Sequence, residues 1–344
     1  MAISGSTAVV GAPGKNSNTG AAYVFTRSGS TWSQRAELTA ADGAAGDQFG
    51  GSVALYGSTA VVGAPGKNST AGVAYVFTGS GGTWSQRSEL FASDAMAYEE
   101  FGSSVAVSGS TAVVGAYGRN SFGHPYGGAA YVFTGSGSTW TQQAKLTAAD
   151  GAAGDYFGYA VALSGSTALV GAPGKSTSTG AAYVYAGSGS SWPQQAELTA
   201  SDPATTAYFG WSVALSGSTA VVGAPGNYNY MGTAYVFTGS GGSWPQQAEL
   251  AGNNGAAGDK FGLSVAIAGP TAVVGAPLST GGAGAAYVYT GSGSTWPQQA
   301  ELTAADAATG DHFGASVAIS GSTAVAGANG KNTATGAAYV FAGV

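Results

Sequence analysis

The stretch GAPGKS, Gly171–Ser176, resembles the end of a phosphate-binding loop. Such a loop places a glycine five residues before its Gly-Lys pair and a helix after it, so that backbone N–H groups face the phosphates. Here that position is Leu169, and Lys175 is followed by STSTGAAYVY, a polar turn and an apolar run too short and too rich in Val and Tyr for a helix. The nucleotide reading is excluded on both counts. Almost the same letters return at Gly11, Gly63, Gly223 and Gly275, so the stretch is one copy of a repeat, and the repeat decides the fold.

Six tryptophans, Trp32, Trp84, Trp140, Trp192, Trp244 and Trp296, are spaced by 52, 56, 52, 52 and 52 residues. The Phe-Gly pairs beginning at Phe49, Phe101, Phe157, Phe209, Phe261 and Phe313 keep the same spacings. Each unit holds four short strand candidates, FGGSVAL, TAVVGAP, GVAYVFT and WSQRSEL in the copy from Phe49 to Leu90, joined by Gly, Ser, Asn and Asp clusters. Four strands per unit of about 50 residues describe a propeller blade. TAVVGA and AAYVF do not alternate apolar with polar, as befits strands covered on both faces. The tryptophans read first as packing between blades.

Gly-Ala occurs seven times in the second-strand slot, at Gly11, Gly63, Gly115, Gly171, Gly223, Gly275 and Gly327. The expected fold is all-β, a seven-bladed β-propeller of four-stranded antiparallel blades forming one domain over 1–344. The blades fall at about 1–42, 43–94, 95–150, 151–202, 203–254, 255–306 and 307–344. The last copy stops at GAAYVFAGV without a WxQQAEL strand, so blade seven is expected to have three strands and an open edge at Tyr339–Phe341.

Composition narrows the function. Only 8% of residues are charged, the net charge is -6, and the pI near 4.7 argues against a nucleic-acid partner. Cysteine is absent, which removes disulfides and thiolate metal sites. No apolar run approaches a bilayer span, so membrane insertion is not expected. Met1 is followed by AISGST rather than a signal-peptide leader, and MAISGS aligns with VAISGS at Val317–Ser322. A fragment of a longer secreted protein would begin this way.

The FG pairs (Phe157-Gly158) and the GAP triplets (Gly171-Ala172-Pro173) together resemble FG-GAP repeats, the blade units of integrin α-subunit propellers and of many extracellular proteins. Tyr117 and Asn329 replace Pro in two copies. Kelch propellers share the Tyr-to-Trp spacing of YVFTGSGSTW, and the recurrent FG favours the first family. The resemblance implies a noncatalytic adhesive or ligand-binding role, extracellular or at a cell surface, with a glycan or a protein as partner. Family members often hold calcium between the first and second strands. That position here is Ser164–Ser166, a hairpin without carboxylates, so no cofactor is carried over. Acid pairs such as Asp42 with Asp47, or Asp150 with Asp155, precede the inner strands; they leave calcium open but suit turn shaping better than a hard cation wanting six or more oxygens.

Differences between near-identical copies locate the candidate site. Before the FG Phe stand Gln48, Glu100, Tyr156, Tyr208, Lys260 and His312; after the FG Gly stand Gly51, Ser103, Tyr159, Trp211, Leu263 and Ala315. The loop between second and third strands is GKNSNTG in copy one, GRNSFGHPYGG in copy three and GNYNYMG in copy five. All three zones belong to one end of a propeller. Phe122, His124, Tyr126, Tyr156, Tyr159, Tyr208, Trp211, Tyr228 and Tyr230 are therefore the predicted ligand-binding patch. No catalytic residues are expected, because His124 and His312 lie in separate copies and the repeated Ser hairpins have no neighbouring base. The alternative is an assembly protein that self-associates through the edge of blade seven.

Overall fold

The computed structural model describes residues 1–118 and 127–344. The fold is an all-β, seven-bladed propeller with antiparallel blades, six of four strands and the last of three. Contacts divide the chain into two compact units, residues 1–170 with 185–194 and residues 171–184 with 195–344. The division runs through blade four, and each unit is built from the same blade pattern.

Blade two illustrates the local logic. Its inner strand Ser52–Tyr56, second strand Thr59–Ala64, third strand Val73–Ser80 and outer strand Thr83–Leu90 pair in chain order. Val53 opposes Val62, Val61 opposes Val76, and Val76 opposes Ser88, with a bulge between Val76 and Phe77. The second and third strands are buried from Ala60 to Ala64 and from Val73 to Phe77, which explains their unbroken apolar runs.

The repeated letters are mostly inter-blade contacts. Phe49 is fully buried against Tyr75 and Phe77, ring centroids 5.5 and 5.9 Å away. A Cβ on Gly63 would lie 1.9 Å from the Gly102 carbonyl oxygen, so backbones of neighbouring blades touch where the GAP glycine stands. The Ser52 hydroxyl donates to that same oxygen at 2.7 Å, and Ser104, Ser212 and Ser264 repeat the bond to Gly158, Gly262 and Gly314. Gln86 accepts from the Ala41 N–H at 3.0 Å, reaching from its outer strand to the chain leaving blade one. Trp84, Trp140 and Trp296 each join a core cluster shared with the preceding blade.

One sequence difference divides the blades. In blades one to three the outer strand is eight residues long and contains the Trp, as in Thr31–Leu38. Pro193, Pro245 and Pro297 follow the Trp in blades four to six, where the strand shortens to Gln194–Leu198 and its equivalents. Proline has no N–H to give the ladder, so the continuous strand starts after it and only an isolated bridge, such as Ser188 with Ser191, remains at the hairpin.

Candidate functional site

The loop between second and third strands makes a left-handed turn. In blade two, Asn68 (φ 54°, ψ 53°), Ser69 (φ 58°, ψ 41°) and Thr70 (φ 61°) follow one another in that region. Side chains pay roughly 1–2 kcal/mol per residue there, so the turn persists only because its backbone is bonded. The Thr70 and Ala71 carbonyls accept from Glu100 and Phe101 at 2.8 and 3.0 Å, and Gly72 bridges Phe101 in parallel. Six turns of this form occur among the described residues.

This docking places two of the predicted variable zones side by side at one loop end. Gln48, Glu100, Tyr208, Lys260 and His312 each donate a backbone N–H to the preceding blade's turn, at 2.7–3.0 Å. With Tyr156 they all sit at φ 55–58°. The bonds use only main chain. Any side chain that tolerates the conformation therefore serves, which is why this position varies from copy to copy.

Of the nine predicted residues, Phe122, His124 and Tyr126 lie outside the described residues. Tyr156 and Tyr159 pack on Tyr117, with centroids 6.1 and 5.1 Å from it. Tyr156 remains 39% exposed, while burial, reinforced by the charge of Glu100, pushes the Tyr159 hydroxyl up to about 12. Tyr208 and Trp211 meet edge to face at 5.8 Å, both half-buried. Tyr228 and Tyr230, in the turn Asn227–Tyr230, are 53% and 42% exposed. That turn abuts the loop carrying Tyr208, since Gly226 donates to the Ala207 carbonyl at 3.0 Å. Trp211 and Tyr228 thus belong to the same end of blade five. Tyr117 was legible as a departure from the GAP pattern but was not counted in the patch.

A polar network below these rings was not foreseen. Tyr228 and Tyr235 donate to the two carboxylate oxygens of Asp202, each at 2.7 Å, and buried Asn227 donates to Tyr235 at 2.7 Å. Burial works to raise the Asp202 carboxyl, but the bonds from Tyr228, Tyr235 and Asn227 hold it below its ordinary value. The bond to Asp202 is the main reason the Tyr228 hydroxyl is pushed up to about 12. The signal in the sequence was Asn227 standing where four copies have Lys, together with Ala207 standing where four copies have Asp.

Those lysines explain the repeated acid pairs. The Lys67 ammonium lies 2.9 Å from Asp42 and 3.1 Å from Asp47, and its side chain and that of Asp47 are each 9% exposed. Lys331 bridges Asp306 and Asp311 in the same way, at 3.2 and 2.9 Å. Asp47, Asp155, Asp259 and Asp311 each also accept the N–H of the residue three positions earlier, as turn-shaping aspartates do. Where the pair is broken the lysine is gone: blade five has Asn227 with Ala207, and blade six has Ser279 with Asn254. In blades two and seven the pair does not fit a calcium ion, because an ammonium already meets both carboxylates. Among the described residues no three His, Asp or Glu side chains are grouped to hold a metal.

The FG-GAP repeat model matches residues 1–25, 32–77, 84–133, 140–185, 192–237, 244–289 and 296–341. No curated protein matches the chain. Among solved structures, Sqt1 of Saccharomyces cerevisiae is similar with a TM-score of 0.50 and 13% identity, over 99% of this chain and 85% of its own. Sqt1 of Chaetomium thermophilum gives 0.55 and 15%, over 93% and 75%. At such identities the likeness is one of fold alone. Seven family matches spread over seven blades carry the assignment: the chain belongs to the FG-GAP repeat family.

Proposed function

We propose that this propeller is a noncatalytic, extracellular or cell-surface binding module that presents an aromatic loop end to a glycan or a protein surface. The observation that carries the reading is the exposure of Tyr228 and Tyr230 on a turn whose backbone is bonded to the neighbouring blade. Flat rings with polar tips, held on a rigid frame, stack on sugars or anchor protein side chains with little entropy lost. The Tyr208–Trp211 pair extends apolar surface at the same end of blade five.

Glycan arrays and candidate extracellular proteins, probed with the intact chain and with a Trp211→Ala, Tyr230→Ala double variant, test the reading. A ligand bound by the former and lost by the latter, with the melting temperature retained, supports it. Equal binding by both removes these rings from the site. Because the acid pairs of blades two and seven are occupied by lysine, calcium and EDTA are expected to leave both binding and melting temperature unchanged.

A further inference from the structure

The third strand of blade seven, Ala337–Ala342, pairs with Thr323–Ala328 and with no other strand among the described residues. The surroundings of this edge specify what would cover it. In the cluster shared by blades five and six, Trp296, two residues before the outer strand Gln298–Leu302, is buried with Val236, Leu250 and Tyr289, and Ala248 packs alongside. Adding one repeat of 52 residues to those four positions gives Val288, Leu302, Phe341 and Ala300. These four line a groove of about 630 Å³ beside the open edge, with Val340 and Val344. The cluster shared by blades six and seven contains no tryptophan among the described residues. Its aromatic pair, Tyr339 and Phe341, is only partly buried, whereas Tyr287 and Tyr289 are 1% and 3% exposed.

A hydrogen-bond donor marks the same vacancy independently. The backbone N–H groups of Ala41, Ser93, Ala149, Ser201 and Asn253 each donate to a glutamine of the next blade's outer strand, at 2.8–3.2 Å. The next residue in this series is Ala305, and among the described residues no side chain accepts from it. Groove and donor stand at the repeat positions that receive the Trp and the first Gln of Trp-Pro-Gln-Gln-Ala-Glu-Leu in blade six.

We propose that the edge of blade seven takes up an extended segment with the chemistry of an FG-GAP outer strand, antiparallel to Ala337–Ala342. Its tryptophan fills the groove. Its first glutamine lies opposite Phe341 and accepts from Ala305, and its leucine lies opposite Ala338, as Gln298 opposes Tyr289 and Leu302 opposes Ala286. Main-chain bonds along the edge give strength, and the Trp and Gln give register.

The test is titration of the intact chain with a synthetic peptide of the sequence of residues 291–304, GSGSTWPQQAELTA. Saturable 1:1 binding with a rise in melting temperature is expected. Replacing the peptide's tryptophan by alanine should weaken binding at least tenfold, and replacing its first glutamine by alanine several-fold. A Val340→Pro variant of the chain should lose the interaction while keeping its far-ultraviolet spectrum. If that variant unfolds, the peptide series alone decides the matter. Absence of binding, or equal binding of a scrambled peptide, overturns the proposal. Sedimentation showing dimers that the peptide does not dissociate overturns it in favour of pairing between two copies.

Discussion

Gly63 is under a steric constraint. Any side chain there meets the Gly102 carbonyl of the next blade, so Gly63→Ala forces two backbones apart. The expected loss is about 1–3 kcal/mol by urea unfolding, the range of overpacked cores. Thr177 presents the opposite case, an exposed β-branched residue held at φ 61°. Thr177→Gly removes that strain, and after the greater freedom of the unfolded chain is counted, stability should rise by up to about 1 kcal/mol in the same assay. The ring of Tyr208 shows why residue identity misleads at such sites. Its left-handed backbone is required by the fold and its side chain is not, so variation there marks freedom from the scaffold and by itself says nothing of a ligand.

At the scale of the element, the turn and the loop it touches form one electrostatic unit. Lys67→Asn leaves Asp42 and Asp47 facing each other without a cation and should cost about 2–3 kcal/mol, below the range of about 3–5 kcal/mol for a buried pair losing one partner because Asp42 is half exposed. Adding Asp47→Ala recreates the arrangement of blade five, and most of the loss should return; additive losses would show that the lysine acts through packing alone. The same unit sets a pH dependence. Burial opposes the charge on Asp42, but bonds from Lys67 and Tyr75 hold its carboxyl below the usual range. That contribution is present above the unfolded value of about 3.9 and is lost as the pH falls through the lower folded value. Burial likewise opposes the charge on Lys67, but bonds to Asp42 and Asp47 raise it, so its contribution is complete below about 10.4 and is lost as the pH rises through the folded value. Melting temperature against pH should therefore show a plateau between these limits, lower but with shallower falls on both flanks in the Lys67→Asn, Asp47→Ala variant.

Across the whole molecule, the copies are held by a small set of bonds repeated from blade to blade: serine to glycine carbonyl, glutamine to backbone N–H, turn to loop. Each uses one letter of the repeat. A chain stitched in this way loses stability locally when one stitch is cut, so Gln86→Ala should raise hydrogen exchange chiefly at Ala41 and the strands beside it, with distant blades unchanged. Uniform acceleration in all blades would indicate a single cooperative unit.

By itself the sequence determined the number of blades, the order of strands, the three-stranded last blade and the packing role of the tryptophans. All of these follow from periodicity: a unit that cannot cover its own faces must repeat, and the missing WxQQAEL at the end leaves one edge bare. It also pointed to Tyr156, Tyr159, Tyr208, Trp211, Tyr228 and Tyr230, because departures between copies are visible in a string of letters. Only the tertiary structure decided what those departures touch. Tyr117 meets Tyr159 across 42 positions, and contacts such as Tyr228 with Asp202 and Lys67 with Asp42 are made from a left-handed turn that polar letters alone do not specify. In five blades the turn's carbonyls accept from the next blade, bonds that exist only once the blades are stacked.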